Sequence, residues 1–359
     1  MKTRKWITAG LALLLAFFTV FGGIAEEAEG TVEEEETTET EKAEDTTETE
    51  KAEDTKGTTD EKEAEGAKKA KGADWPELNA DGFLDDGEFV YENDEEGLWR
   101  YASDTLWVEI RRIIQEKPAR TWYEAEVRCS GEDVPRMIPL DSDKWMTKNT
   151  FPYKVARKTQ TVLAVSTDYA WLRYKQKTRM GIIIRDGRIL SEKTRKKGAK
   201  QFPNLDTLAL FPDGDMRVFD SNEKTAQEYL AMGARDVLAF GPWLIRDGEL
   251  NEKALKQYGK SKAERVAVGM VEKGHYWFMM LEGRIKRSNG DGIRFLAEKL
   301  QEKNCQVAFN LDGGQTACIV FMGHQLCKMS DKHRKSSRTT SEILGVGTSS
   351  LVVGVDDPW

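Results

Sequence analysis

The pattern of apolar and polar positions predicts a body rich in β-strands. Residues 106–114 and 122–127 alternate apolar with polar side chains, which is the period of a strand with one face in a core. Residues 161–165 and 275–281 are short, almost continuously apolar runs, which are typical of strands buried on both faces. We therefore expect at least four strands before the chemistry of any side chain is considered.

Three Asp-Gly pairs interrupt further apolar runs and predict β-hairpins. Asp-Gly between two apolar runs is a strong short-range hairpin signal, because both residues tolerate the left-handed backbone of a tight turn. The three segments are residues 182–190 around Asp186-Gly187, 208–219 around Asp213-Gly214 and 238–250 around Asp247-Gly248.

Two segments have the period of a helix. In residues 222–232, which Gly233 follows, and in residues 292–303, the apolar positions recur three and four residues apart. We interpret residues 75–101 as a lead-in that packs its aromatic side chains on the body. The pattern as a whole predicts an α+β fold: a mixed, largely antiparallel β-sheet core with several Asp-Gly hairpins and a few packed helices. Residues 75–359 show no break in composition, so we expect a single domain.

The first 25 residues have the composition of an export signal. Lys2, Arg4 and Lys5 precede a nearly uncharged run, and Gly23-Ile24-Ala25 forms a small-x-small cleavage pattern. The run is also long enough to span a bilayer if it is retained, so a cleaved signal peptide and an N-terminal anchor both remain open. Either alternative predicts a secreted or cell-surface body, with membrane contact only through an uncleaved N-terminal segment.

Residues 26–74 read as a disordered acidic spacer. Glu, Thr, Lys, Ala and Asp dominate it, and residues 37–45 recur word for word as residues 46–54. It has too few large apolar side chains to offset the entropy of ordering. Residues 26–72 carry 19 acidic and seven basic side chains, so the total charge of −8 leaves the rest of the body close to neutral. The composition therefore gives no support for a nucleic-acid partner.

The most informative stretch for chemistry is residues 307–316. If residues 307–312 are extended, Asn310 and Asp312 project from one face, and Leu311 points the other way. Gly313 and Gly314 then permit a sharp turn with exposed amides. An amide and a carboxylate at such a strand end are a candidate site, although an ordinary strand ending in an Asn/Asp/Gly turn would show the same pattern.

Several segments together resemble the phosphodiester glycosidase family, which includes the lysosomal uncovering enzyme and many exported bacterial proteins. No single motif is decisive, but the order along the chain matches from about residue 162 to residue 344. The matching segments are Asp168-Tyr169, residues 181–187, residues 240–248, residues 265–269, residues 282–284, residues 288–290 and residues 310–314.

The resemblance implies hydrolysis of a sugar-1-phosphate diester, with release of the sugar from its phosphate. Such a reaction needs cationic donors for the phosphate and a carboxylate that activates water or stabilises the developing positive charge. We assign Asp312 as base or charge stabiliser, with Asp168 as a second catalytic carboxylate and Asn310 orienting sugar or water. The substrate-binding residues that we predict are Arg265, Arg284, Ser288, Gly313, Gly314, Thr316 and Trp243. The expected partner is a carbohydrate or glycosyl phosphate, such as a cell-wall or surface glycan.

The chain departs from the family pattern inside the motifs. Ser166-Thr167 stands where bacterial members carry Asn-Gly, Val266 replaces a Thr, Gln315 replaces a third Gly, and Glu282 replaces an Asp. Ser cannot reproduce the two-ended hydrogen bonding of Asn, and Val offers none. Two alternatives follow: a working hydrolase with altered specificity, or a weakened or inactive relative that binds glycans at the cell surface.

Metal and nucleophile motifs do not stand out. His275, His324 and His333 lack metal-ligand spacing, and there is no Gly-x-Ser-x-Gly elbow, which disfavours a zinc hydrolase and a Ser-His-Asp enzyme. We predict no cofactor. A divalent cation on Asp312 or Asp168 is conceivable with a phosphate, but no pattern supports it.

The four cysteines, Cys129, Cys305, Cys318 and Cys327, are not arranged as Cys-x-x-Cys. If Met322-Gly323 forms a two-residue turn, Cys318 falls directly opposite Cys327, where the separation suits a disulfide. A bridge between these two and a set of free, buried thiols are the alternatives.

Overall fold

A computed structural model describes residues 74–145, 148–168, 180–194, 203–329 and 337–355. The predicted signal or anchor at residues 1–25, and the predicted spacer except residue 74, lie outside the described residues, as do Tyr169 and His333. Among the described residues, every helix is too short or too polar to span a bilayer.

The described chain contains nineteen strands and four α-helices. The strands are β1 (Phe89–Asn93), β2 (Leu98–Ala102), β3 (Leu106–Gln115), β4 (Arg120–Cys129), β5 (Arg136–Pro139), β6 (Thr161–Val165), β7 (Ile182–Arg185), β8 (Arg188–Glu192), β9 (Asp206–Leu210), β10 (Met216–Phe219), β11 (Asp236–Phe240), β12 (Trp243–Arg246), β13 (Glu249–Leu250), β14 (Arg265–Glu272), β15 (His275–Leu281), β16 (Val307–Leu311), β17 (Ile319–Phe321), β18 (His324–Gln325) and β19 (Glu342–Thr348). The helices are α1 (Pro152–Thr159), α2 (Ala226–Ala231), α3 (Glu252–Tyr258) and α4 (Ile293–Glu302).

The described strands form three antiparallel sheets. The largest has nine strands in the order β1-β2-β3-β4-β15-β14-β16-β12-β13. The second has the order β10-β9-β11-β7-β8, and the third has the order β18-β17-β6-β19-β5. The prediction of a mainly antiparallel core with few helices is confirmed.

Period-two alternation separates two cores on the faces of the large sheet. In β14, Val266 and Val268 point into the main core, to which all three sheets contribute. Ala267 points the opposite way, into a second core where α4 packs through Ile293 and Leu300. The apolar stripe that predicts a helix at residues 292–303 therefore covers the outer face of the large sheet.

The helices differ in how well the sequence pattern predicts them. The other predicted helix, at residues 222–232, is present as the shorter α2, whose first turn is closed by a capping box of Thr225 and Glu228. The sequence analysis did not predict α1 and α3. Each spans only two turns, and such short helices depend on packing more than on a repeating pattern.

The interpretation of residues 75–101 as a lead-in that packs its aromatic side chains on the body did not include two strands. This segment contributes β1 and β2, which extend the large sheet beyond β3. Its aromatic side chains do pack on the body, since the Trp75 and Trp107 rings stack with centroids 4.8 Å apart. The two strands were not predicted because aromatic and acidic residues follow each other here without a regular period.

Tight turns join several strand pairs. Asp186 and Gly187 join β7 to β8, both with positive φ, and Asp247 and Gly248 join β12 to β13 in the same way. Residues 211–215, which include Asp213-Gly214, connect β9 to β10.

Met322 and Gly323 form the turn between β17 and β18, which leaves Cys318 and Cys327 just beyond paired positions. All four cysteines are buried free thiols, so the disulfide alternative is not formed.

Candidate active site

Strand pairing brings Arg265 and Asp312 together at one edge of the large sheet. Leu311, the last residue of β16, pairs with Val266, and Arg265 pairs with Leu281. The antiparallel register therefore places Asp312 beside Arg265, with the segment after β15 on the other side. Three segments that are distant in the sequence meet here.

Glycines allow the loops at this edge to pack backbone against backbone. The N–H of Gly314 donates to the carbonyl oxygen of Glu264 at 3.0 Å. A side-chain carbon at Gly313 would lie 2.5 Å from that same oxygen, and one at Gly283 would lie 2.7 Å from the Glu264 nitrogen. Gly313 and Gly314, predicted as ligand contacts, thus serve first to seat the Asp312 loop against Glu264.

Asp312 is anchored through its backbone to the segment that follows β6. Its N–H donates to the Thr167 carbonyl oxygen at 2.9 Å, and its carbonyl oxygen accepts a hydrogen bond from the Ser166 hydroxyl at 2.7 Å. Asp312 is 7% exposed. Ser166, one of the departures from the family pattern, therefore has a structural role in holding the Asp312 main chain.

Asp168 belongs to a buried ionic cluster next to this anchor. Arg185 donates to an Asp168 carboxylate oxygen at 3.5 Å and forms a bidentate pair with Glu342 at 2.8 and 2.7 Å. The Trp145 indole donates to Glu342 at 2.9 Å. Burial opposes the charge on Arg185, but Glu342 and Asp168 outweigh it and raise the pKa of Arg185 above its ordinary value.

Asn310 and Trp243 are engaged by their surroundings. The Asn310 side chain is buried and donates to the Gly241 carbonyl oxygen at 2.9 Å, which ties β16 to the turn before β12. The Trp243 indole donates to Asp220 at 2.8 Å, and Arg246 stacks on its ring. The Asn310 amide therefore holds the backbone of the turn at Gly241, and the indole N–H of Trp243 faces Asp220.

The two predicted arginines have different environments. Arg265 donates to the main-chain oxygens of Asp291 at 3.2 Å and Ser261 at 2.6 Å, so part of its fork is occupied. Burial and the charge of Arg284 lower the pKa of Arg265, against the opposing effect of acidic neighbours that include Glu264 and Asp312. Arg265 therefore lies within electrostatic range of Arg284, Glu264 and Asp312.

Arg284 is the accessible cation of this group of residues. Its side chain is 48% exposed, and its Nε atom lies 3.7 Å from a carboxylate oxygen of Glu264. The backbone of Arg284 has φ of 56°, the left-handed region that non-glycine residues rarely adopt. Such strain persists where the surrounding structure determines it, and it is common at functional sites.

Glu264 is a functional candidate that the sequence analysis missed. It is 1% exposed, and neither carboxylate oxygen has a hydrogen-bond partner among the described residues. Buried carboxylates are normally paired and hydrogen-bonded, so this one is unusual. A single acidic residue before an apolar strand is normally solvent-exposed. In the sequence, the only indication of a functional role for Glu264 was its position next to Arg265.

The remaining predicted residues mainly support the loops. The Ser288 hydroxyl donates to the Glu282 carbonyl oxygen at 2.6 Å and accepts from the Thr121 N–H at 3.1 Å. The Thr316 hydroxyl is buried and has no hydrogen-bond partner within the described ranges. The Glu282 carboxylate, another departure from the family, accepts from Arg287 at 2.7 Å.

Asp206 is a second carboxylate with an altered titration, next to the turn that Asn310 holds. It accepts the N–H groups of Ser221 at 3.2 Å and Trp243 at 3.3 Å. Burial, with a smaller effect from Asp220, raises the pKa of Asp206 to about 6, against the opposing effect of its hydrogen bonds.

The described residues offer no ready metal centre. No group of three or more His, Cys, Asp or Glu side chains in that part of the chain could hold a metal ion.

A family model for phosphodiester glycosidases matches residues 159–347 of the chain. That match contains β6 to most of β19, including Asp168, Glu264, Arg265, Arg284 and Asp312.

Similar proteins show how far the likeness extends. An SPbeta prophage-derived uncharacterized protein, YomE, of Bacillus subtilis strain 168 is 26% identical over 195 residues, which cover 54% of this chain and 29% of that protein. The chain therefore spans under a third of the length of this relative. A solved structure of the zebrafish N-acetylglucosamine-1-phosphodiester alpha-N-acetylglucosaminidase catalytic domain, auto-inhibited by its pro-peptide, has a TM-score of 0.53 at 19% identity. It covers 69% of this chain and 85% of the zebrafish chain, which shows a shared fold.

Proposed function

Because the chain belongs to the phosphodiester glycosidase family, we propose that it cleaves the glycosidic bond of a sugar-1-phosphate diester. Membership supports a hydrolase of the glycosidase type. The finer assignment is supported by one observation above the others: the exposed guanidinium of Arg284 lies within electrostatic range of Arg265, together with Glu264 and Asp312.

In the proposed reaction, water attacks the anomeric carbon and the bond from that carbon to the phosphate oxygen breaks. The products are the free sugar and a phosphate monoester of the other alcohol. The leaving phosphate is a stabilised anion, so its departure depends on cationic hydrogen-bond donors more than on a proton donor. Arg284 binds the phosphate, and Asp312 activates the water or stabilises positive charge on the sugar.

Arg265 and Glu264 act as positioning residues in this proposal. Arg265 uses two donors to hold the main chain around Ser261 and Asp291, and it contributes positive potential to the phosphate site. Glu264 lies beneath Arg284 and balances the charge of the two arginines, which lets both stay close without a solvent counter-ion.

A specific observation also supports the second candidate, a glycan-binding module without turnover. Several groups predicted to contact substrate are already occupied by protein: the Asn310 amide, the Ser288 hydroxyl and two donors of Arg265. A site with fewer available donors would retain affinity for an anionic glycan and lose catalytic power.

We further propose that this activity operates outside the cytoplasm, on a glycosyl phosphate of the cell envelope or its surroundings. The support is the composition of residues 1–25, a basic flank followed by an apolar run. The near-neutral charge of the body is consistent with a small anionic substrate and with the absence of a nucleic-acid partner.

Purified protein should be assayed with a nucleotide sugar and a simple sugar-1-phosphate diester, with released monosaccharide as the readout. We expect turnover in the wild type and a loss of about 100-fold or more in kcat/KM for Asp312→Asn, as for removal of a general base. Asp247→Asn is the matched control, because Asp247 is an exposed turn residue at a φ of 53° that Asn tolerates.

The outcomes separate the two candidates. Full activity of Asp312→Asn would reject the role assigned to Asp312. Saturable glycan binding by the wild type, without any released sugar, would favour the binding module.

A further inference from the structure

A cavity outside the proposed active site has Arg185 among its lining residues. It has a volume of about 300 Å³ and lies between the β7–β8 hairpin, the start of β11 and the edge strand β5. Four arginines line it, together with two aspartates, Ser142 and a group of apolar side chains: Met137, Ile138, Pro139, Trp145 and Leu190. The proposed active site does not use this cavity.

Of the two acidic groups that line the cavity, Asp236 is committed to the protein and Asp186 is exposed. Asp236 is 2% exposed, and its carboxylate accepts the N–H of Asp186 at 3.0 Å and that of Met137 at 3.2 Å. The lining residue Arg185 is buried and forms ion pairs with Glu342 and Asp168. Asp186 is exposed in the hairpin turn. Asp236 and Arg185 therefore contribute little to the electrostatic potential inside the cavity.

The rim of the cavity is cationic. Arg136 is half-buried in β5, and its side chain has no hydrogen bond or ion pair with any residue that the structure describes. Arg188, at the start of β8, is exposed and has a single weak contact, 3.4 Å to the Ser142 carbonyl oxygen. Arg235 donates to the Pro135 carbonyl oxygen at 3.0 Å and to Asp236 at 3.3 Å. Most of the guanidinium donors on this rim remain available.

We propose that this cavity binds the phosphate group of a small phosphorylated molecule. Guanidinium groups from three separate segments can each address a different oxygen of a phosphate, whereas a carboxylate has only two oxygens and is satisfied by one fork. The apolar wall, with Trp145 and Leu190, accommodates the organic part of the ligand. The volume lies at the lower end of the range for small-molecule sites, which suits a phosphorylated monosaccharide.

This inference is independent of the proposed function, because it rests on the lining of a cavity that contains neither Asp312 nor Arg284. The experiment must nevertheless separate the two sites, since both would attract phosphate. Arg284→Ala in the full chain removes the exposed cation of the proposed active site and leaves the cavity intact. This variant is the host protein for the binding measurements.

Isothermal titration of the host with glucose 6-phosphate, inorganic phosphate, gluconate and glucose tests the proposal. We expect both phosphates to bind, with glucose 6-phosphate tighter, and gluconate and glucose to bind at least tenfold more weakly than glucose 6-phosphate. Adding Arg136→Ala and Arg188→Ala should weaken glucose 6-phosphate binding by about 100-fold, since each charge-assisted contact accounts for roughly a factor of ten or more. Arg111→Ala is the matched control, because Arg111 is an exposed arginine outside the cavity.

Three results would overturn the proposal: no phosphate binding by the host, equal binding of gluconate and glucose 6-phosphate, or unchanged affinity after the two substitutions in a folded protein. Urea unfolding verifies the fold of each variant. If the combined variant does not fold, Arg188→Ala alone decides, because Arg188 is exposed beside a turn and its removal leaves the core unchanged. A loss of roughly tenfold from that single change is then expected.

Discussion

Two arginine–glutamate pairs in this protein have opposite surroundings. Arg185 and Glu342 are both buried and bonded at two points, and the Trp145 indole and main-chain oxygens satisfy their remaining groups. Arg284 and Glu264 are 3.7 Å apart, with the arginine half-exposed and both carboxylate oxygens of the glutamate lacking hydrogen bonds in the described chain.

The difference distinguishes an ion pair that is satisfied within the protein from one that keeps an exposed arginine. A fully satisfied buried pair holds its elements in one arrangement and offers nothing to a ligand. An incompletely satisfied pair with one accessible member keeps donors and charge available, at a cost in stability. Stability should therefore depend mainly on the first pair and ligand binding mainly on the second.

The largest effect on stability is expected for Glu342→Ala. This change leaves the Arg185 charge buried without its main partner, which costs about 3–5 kcal/mol of unfolding free energy. Urea unfolding followed by fluorescence measures the loss.

Glu298→Ala provides the comparison, because Glu298 forms an ion pair of the same kind with Arg294 on the surface. Surface pairs contribute about 0–1 kcal/mol. A loss as small for Glu342→Ala as for Glu298→Ala would contradict the structural role of the buried pair.

The next largest effect on the unfolding free energy is expected for Asp206→Asn, and this effect depends on pH. Burial raises the pKa of Asp206 to about 6 from a usual 3.8, so the folded state binds more protons than the unfolded state between these values. The stability that this proton supplies is present below pH 4 and is lost as pH rises through 6. Relative to wild type, Asp206→Asn should therefore gain up to about 3 kcal/mol between pH 4 and pH 8.

Urea unfolding of both proteins across this pH range provides the measurement. Asp213→Asn is the control, because a hydrogen bond from Lys273 lowers the pKa of Asp213, so this group is largely ionised in both states above pH 4 and its difference from wild type should stay nearly constant across the range. A difference between Asp206→Asn and wild type that is constant with pH would show that Asp206 titrates normally.

Glu264→Gln should separate stability from function. Gln keeps the shape and removes a buried charge that has no hydrogen-bond partner among the described residues. The desolvation cost that is removed offsets the lost attraction to the arginines, so the unfolding free energy should change by no more than about 1 kcal/mol. The kcat/KM for a sugar-1-phosphate diester should fall by roughly tenfold or more, because the two arginines lose the charge that positions them. The pH profile of kcat/KM should change shape as well, which a purely structural role would not produce.

A loss of several kcal/mol in Glu264→Gln, with the pH profile unchanged, would place Glu264 with Glu342 as a structural residue. Restoration of activity by Glu264→Asp would support the need for a carboxylate at this position.

The smallest change in stability is expected for Arg284→Ala. The side chain is half-exposed and Arg265 still offsets the charge of Glu264, so its removal should alter the unfolding free energy by no more than about 0.5 kcal/mol. KM for the diester should rise by roughly 10- to 100-fold as a phosphate contact is lost. Arg284→Lys keeps the charge without the fork, and it should recover only part of the affinity. An unchanged KM in both variants would exclude Arg284 from the phosphate site.

Much of the sheet core could be predicted because its signals are local. The apolar run at residues 161–165 has the bounds of β6, and the run at residues 275–281 has those of β15. Period-two and period-3.6 patterns depend only on which face of an element is buried, so a single sequence contains them. The strands in residues 89–102 lacked such a pattern and were missed.

The candidate site could be predicted only in part, because its decisive features depend on tertiary contacts. The proximity of Arg265 to Asp312 follows from the register of β14 and β16, which no motif states. The Ser288 hydroxyl oxygen accepts the N–H of Thr121, which is 167 positions away, and no local motif indicates that contact. Glu264 is likewise buried because two glycine-containing loops pack against it. No local sequence pattern indicates this burial.

The strand order of the third sheet has a consequence for biosynthesis. Its final member, β19, is inserted between β5 and β6, so β5 has no partner strand until residues 342–348 exist. Glu342, the counter-charge of Arg185, arrives with the same strand. A nascent chain therefore cannot complete this sheet during most of its translation. A premature stop before codon 342 would remove both the strand that joins β5 to β6 and the carboxylate that neutralises Arg185.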